Sequence, residues 1–140
     1  DSDLLIQKEE KRRLYQIIDE EGEEGLKAIE SRVNESIETE DTVIATGGSV
    51  VYCSEAMEHL KSIGKVVYLR LSLESLEKRL GNLKKRGGLL KEGQTRKSLY
   101  EERVPLYEKY ADIVVDEEGK DLDESLRAIL EIIHIKEQGK

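Results

Sequence analysis

Three short runs rich in β-branched residues, TVIAT (42–46), KVVYLRL (65–71) and DIVVD (112–116), punctuate a chain whose other apolar residues recur mostly at helical spacing. Continuous apolar runs of this length suit strands buried on both faces. Strands alternating with helices imply an α/β domain, a parallel sheet flanked by helices in three layers. The helical stretches can be read one by one. In LLIQKEEKRRLYQIIDEEG (4–22), Leu4, Leu5, Leu14, Ile17 and Ile18 follow a helical period, and Gly22 and Gly25 bracket a break. EEGLKAIESRVNESI (23–37) resumes with Leu26, Ile29, Val33 and Ile37 on one face. SEAMEHLKSIG is helical with Gly64 as its stop, and SLESLEKRLGNL has Ser72 or Ser75 as its N-cap. SLYEERVPLYEKYA and the amphipathic DLDESLRAILEIIHIKEQ complete the helices.

The TVIAT run ends in ATGGSVV (45–51), where two glycines and a serine interrupt the apolar residues. Paired glycines at the carboxyl end of a strand let the backbone turn sharply and let a ligand approach main-chain N–H groups. Parallel sheets bind small molecules at this end of their strands. Other polar features fall at comparable places. Asp1 and Asp3 open the chain, and KKRGGLLKEGQTRK (84–97) carries three glycines and six cations, the composition of a mobile basic loop. In ERVPLY, Arg103 stands two residues before Pro105, whose ring removes a helical hydrogen bond and distorts the segment presenting the arginine.

Composition narrows the function classes. The 140 residues amount to one domain. A net charge of −8 argues against a nucleic-acid duplex or an anionic membrane as partner, while a local basic loop still suits a phosphorylated small molecule. The single cysteine, Cys53, excludes an intrachain disulfide and supplies no thiolate pair for zinc. No apolar run approaches the roughly 20 residues of a membrane span, so a cytoplasmic protein is expected. His59 and His134 lie on helical stretches and read as surface residues. The carboxy-terminal helix can pack on the sheet, so a monomer is expected.

Taken in order, these residues resemble the shikimate kinase family, small kinases of the P-loop type. The resemblance runs from Asp1 to about Asp116. Asp1-Ser2-Asp3 is similar to the family's D-x-D, which implies that Asp1 orders Mg2+ and that Asp3 bonds the substrate hydroxyls. Gly47-Gly48-Ser49 resembles a Gly-Gly-Gly segment that meets shikimate through backbone N–H groups. Arg103 resembles the carboxylate-binding arginine of R-x-P-L-Y, Arg86 the lid arginine that reaches the phosphates, and Arg79 the residue against adenine. Lys27 stands where the family has an arginine gripping the substrate carboxylate. The resemblance thus implies transfer of the γ-phosphoryl of ATP to the 3-hydroxyl of shikimate, in the biosynthesis of aromatic amino acids. It also implies a single domain over 1–140 with a lid at 84–97.

Departures from the pattern keep other readings open. No G-x-x-x-x-G-K-[ST] occurs, so the chain supplies no P-loop cradle for phosphates and as written is expected to be inactive. In the family that loop follows a central first strand, whose loss would strand buried amides at about 1 to 3 kcal/mol each. A missing segment of about thirty residues, the usual size of a βαβ unit, is therefore expected upstream. The alternative is a shrunken sheet in which TVIAT and KVVYLRL pair directly. Lys27 lacks an arginine's bidentate fork and Ser49 replaces a glycine, which favours a sister kinase of another small hydroxylated acid. A third reading is a non-catalytic substrate-binding remnant.

Overall fold

A computed structural model describes residues 1–81 and 93–139. It comprises two compact units, Asp1–Gly64 and Lys65–Lys140.

The first unit is helical among its described residues. Helix α1 (Ser2–Glu10) begins at Asp1, whose carboxylate accepts the Asp3 N–H at 2.8 Å, and ends at Lys11 in the left-handed region, φ 55°. Helix α2 (Leu14–Glu35) then starts afresh. Its first amides are satisfied by two glutamines: Gln16 Oε1 accepts from Arg13 N at 2.8 Å and Gln7 Oε1 from Leu14 N at 3.2 Å. The stretch 4–22 is therefore two helices, not one. Ile6 and Ile17, both fully buried, lie about three turns apart on a single helix, and a hairpin of two packed helices buries the same pair. Arg12 closes the reversal with bonds to Glu10, Glu20 and Glu21 at 2.9, 2.7 and 2.5 Å. The expected break at Gly22 is present, with φ 72° and ψ −176° inside α2. That conformation is essentially restricted to glycine.

Beyond α2, residues 42–46 form no strand, and Val43 is 92% exposed. The expectation of a strand buried on both faces fails here for a physical reason. A strand exists through its ladder, and no other strand of the described residues pairs with this segment. Its backbone is tied instead to α1, with Ser2 N–H donating to Ala45 C=O at 2.8 Å. The segment leads into a 3₁₀ turn (Gly48–Tyr52) and helix α3 (Ser54–Ile63). Helix α3 stops at Gly64 in extended conformation, without a left-handed cap. Ile6, Ile17, Leu26, Ile29, Val33, Val50, Val51, Ala56, Met57 and Leu60 form the core of this unit.

In the second unit β1 (Val67–Arg70) pairs in parallel with β2 (Ile113–Asp116), Val67 opposite Ile113 and Arg70 opposite Asp116. Among the described residues the sheet has two strands, β1 and β2, and residues 42–46 are in neither, so the direct pairing of TVIAT with KVVYLRL is not found there. Ile113 and Val115 are buried while Val114 and Leu69 are 40% and 45% exposed, so neither strand is covered on both faces. The crossover carries α4 (Leu73–Leu80), capped by Ser72 as expected, and α5 (Arg96–Tyr110), capped by Thr95. Helix α5 continues through Pro105, which is exposed together with Glu101, so water can reach the carbonyl that the proline leaves without a donor. Tyr107 of α5 stacks on Tyr68 of β1 at 5.2 Å, and Tyr100 Oη donates to Leu71 C=O at 2.9 Å. Helix α6 (Leu122–Gln138), capped by Asp121, packs against β2. No helix of the described residues is long and apolar enough to cross a membrane.

Candidate functional site

The glycine at 47 is explained by space rather than by backbone conformation. Gly47 has φ −68°, which any residue adopts. A Cβ at this position would lie 3.2 Å from Glu30 Oε1 and 3.5 Å from Asp3 Oδ1. Two carboxylates, one from the first turn of α1 and one from the middle of α2, thus converge on a bare stretch of main chain. Gly48 follows as the first residue of the 3₁₀ turn, which Val50 and Val51 anchor in the core. Ser49, one residue on, donates its hydroxyl to Glu30 Oε2 at 2.7 Å.

Glu30 is 4% exposed and was not singled out by the sequence. One signal did exist. Glu30 falls one turn after Leu26 and one turn before Val33 and Asn34, so it interrupts the buried stripe of α2 with a charge. A carboxylate there is costly to bury unless bonded, and a charged side chain retained in such a stripe is a site candidate.

The other polar residues considered in this unit have partners of their own. Asp1 is exposed, and one of its oxygens caps α1. Lys27, one turn before Glu30, has its ammonium 3.7 Å from Glu24 Oε1 and 4.8 Å from the ring centre of Tyr52 at the end of the 3₁₀ turn. Cys53 is buried, its Sγ 3.8 Å from the Lys27 carbonyl, and burial pushes its thiol pKa up. His59, expected at the surface, is half-buried with Nε2 2.7 Å from the Ile37 carbonyl oxygen.

In the second unit, Arg79 of α4 is turned toward the residues after β2. Its guanidinium donates to the carbonyls of Glu117 at 3.4 Å and Lys120 at 3.1 Å and lies 3.5 Å from the Glu117 carboxylate. Glu118 fastens the same turn to the start of α4, accepting from Ser72 N–H at 2.5 Å and from the Ser75 hydroxyl at 2.8 Å. These donors hold the Glu118 carboxyl below its ordinary pKa. Arg103 is half-buried in α5. Arg86 and most of the expected lid lie outside the described residues.

Chemically, Asp3, Glu30, Gly47 and Ser49 make a small acceptor-rich cluster. Two carboxylates are suited to receive hydrogen bonds from the hydroxyls of a polyol, and either can take a proton from one of them. No group of three or more His, Cys, Asp or Glu side chains among the described residues is arranged to hold a metal ion. Mg2+ needs less than that, because it is commonly bound through one or two carboxylates and substrate phosphates. The exposed Asp1 carboxylate fits that requirement.

A family model described as Shikimate kinase matches residues 1–134. Among curated proteins, a shikimate kinase of Dictyoglomus turgidum is 37% identical over 136 residues, covering 94% of this chain and 79% of that protein. Shikimate kinase 1 of Citrobacter koseri is 36% identical over 142 residues, covering 98% of this chain and 80% of that protein. Among solved structures, a shikimate kinase from Acinetobacter baumannii in complex with shikimate superposes with a TM-score of 0.80 at 29% identity. That match covers 100% of this chain and 78% of the other. The Aquifex aeolicus shikimate kinase gives a TM-score of 0.74 at 30% identity, over 94% of this chain and 79% of the other.

Proposed function

The chain belongs to the shikimate kinase family, and from that premise we propose that it serves the transfer of the ATP γ-phosphoryl group to the 3-hydroxyl of shikimate. The observation that carries the reading is the convergence of Asp3 and Glu30 on the glycine backbone at 47. A ring bearing several hydroxyls offers donors to those carboxylates and an acceptor to the main-chain N–H group of Gly47. Asp3 orients the attacking hydroxyl and takes its proton as the new P–O bond forms and the bond to ADP breaks. The family resemblance gives Lys27 and Arg103 the shikimate carboxylate as partner, Arg103 being the residue capable of a bidentate grip.

Arg79 serves the adenine, and Arg86 the phosphates. Asp1 is the residue that would hold Mg2+, whose chemistry is to neutralise phosphate charge during transfer. The setting is the cytoplasm and the working unit a monomer; the absence of a membrane-length apolar helix among the described residues is compatible with that setting.

A second reading, a kinase of a related hydroxylated acid, draws on the engagement of Lys27 by Glu24 and Tyr52 and of Ser49 by Glu30. Calorimetric titration of the chain with shikimate and with other small hydroxylated acids decides between the two. Saturable binding of shikimate, lost in Asp3→Asn, is the expected result. Preference for another acid by tenfold or more favours the second reading, and no binding of any of them refutes both.

A further inference from the structure

Ser49 has one proton to donate, and the structure spends it on Glu30 Oε2 at 2.7 Å. The hydroxyl therefore has no donor left for a ligand. The consequence falls on Glu30. With Oε2 engaged, the carboxylate is held with Oε1 near Gly47, 3.2 Å from the position a Cβ would take there, while Asp3 Oδ1 lies 3.5 Å from the same point. Lys27 sits one turn before Glu30 on α2, but its ammonium is engaged by Glu24 and the Tyr52 ring. Ser49 belongs to the 3₁₀ turn and Glu30 to α2, so this one bond sets the turn and the carboxylate in register.

We infer that Ser49 is a positioning residue, acting through Glu30, and that it fixes the second of two carboxylate acceptors for neighbouring hydroxyls of the substrate ring. The inference rests on the proposed function and deepens it. The Ser49 hydroxyl does not itself bind the substrate; it sets the direction of the acceptor that does. A serine that only fastened the turn to α2 would, when removed, lower thermal stability and leave the affinity of the folded protein unchanged.

The test is a double-mutant cycle on shikimate affinity in the full chain, by calorimetry, with Ser49→Ala, Ser49→Gly and Glu30→Gln. Ser49→Ala and Ser49→Gly are each expected to weaken binding about tenfold, the size of coupling found between contacting residues. Their agreement assigns the effect to the hydroxyl rather than to side-chain volume. In the Glu30→Gln background, where the bond is no longer charge-assisted, the loss should shrink to about threefold or less. An equal loss in both backgrounds, or none in either, overturns the inference. The ¹³Cδ resonance of Glu30 in ligand-free protein provides a readout that needs no substrate. Its displacement by Ser49→Ala supports the bond, and an unmoved resonance overturns it. Should that resonance move while the wild type takes up no shikimate, the bond stands, and the proposed function falls together with the substrate role of Ser49.

Discussion

Replacing Gly47 by alanine separates a steric requirement of the site from a backbone requirement of the fold. The backbone already adopts φ −68°, so alanine fits without strain. By narrowing the unfolded ensemble, such a change contributes about 0.4 to 1 kcal/mol of stability where the native conformation is compatible. The new methyl, however, stands 3.2 Å from Glu30 Oε1 and 3.5 Å from Asp3 Oδ1. Carbon contacts relax at about 3.5 to 4.0 Å, so Glu30 must give by a few tenths of an ångström. It is poorly placed to do so, being 4% exposed and held by Ser49 at 2.7 Å. The methyl also occupies the point at which the two carboxylates meet. Loss of one hydrogen bond to a charged acceptor costs about 1.5 to 3 kcal/mol. At 1.4 kcal/mol per decade, shikimate affinity should fall about 10- to 150-fold. The melting temperature should stay near that of the wild type, because the small entropic gain offsets a local clash. Calorimetric titration and a thermal melt on the same samples provide the assay. Affinity within twofold of the wild type would refute the steric argument, and a melt displaced far downward would show that Gly47 is needed by the fold.

Gly22 should behave in the opposite way. A Cβ there meets nothing within 4 Å, but φ 72° with ψ −176° is a conformation for glycine, so Gly22→Ala should cost about 1 to 3 kcal/mol in urea denaturation. No measurable loss would mean that the α2 kink tolerates a side chain. The Glu118 carboxyl, held below its ordinary value of 4.5 first by the Ser72 N–H and then by the Ser72 and Ser75 side chains, favours the folded state above that pH. Its contribution is lost as pH falls through the lower folded value, so melting temperature against pH should have a shallower acid limb in Glu118→Gln than in the wild type. Identical limbs would remove Glu118 from the account of acid stability. Burial raises the Cys53 thiol, so an aromatic disulfide reagent at pH 8 should modify it at a rate that tracks unfolding. Reaction as fast as in denaturant would contradict the buried placement.

What could be read in the sequence was whatever depends on near neighbours. Ser72 before an amphipathic stretch caps α4, Gly22 breaks α2, and DIVVD is a strand, because local chemistry and short-range periodicity settle each of them. TVIAT is a short run with β-branched residues, like DIVVD, and has a different outcome. The difference lies in hydrogen-bond partners: Ile113–Asp116 has β1 beside it, while residues 42–46 have no strand of the described residues. A partner is a property of the whole sheet, and no window of five residues contains it. The reversal at Lys11 was hidden for a related reason, since the spacing of Ile6 and Ile17 serves equally for one helix or for two packed together.

The site shows the same division. Asp3, Gly47 and Ser49 were named from their motifs, whereas Glu30 joins them once α2 is seen to bring that position near Gly47. A charge on an apolar stripe carries two meanings in a sequence, an irregularity of a surface helix or a buried functional group. Glu30 is buried and bonded to Ser49, so it is not the surface irregularity of the first meaning. The same criterion assigns Arg12, whose three carboxylate partners lie in its own hairpin, to the architecture of α1 and α2 rather than to a ligand.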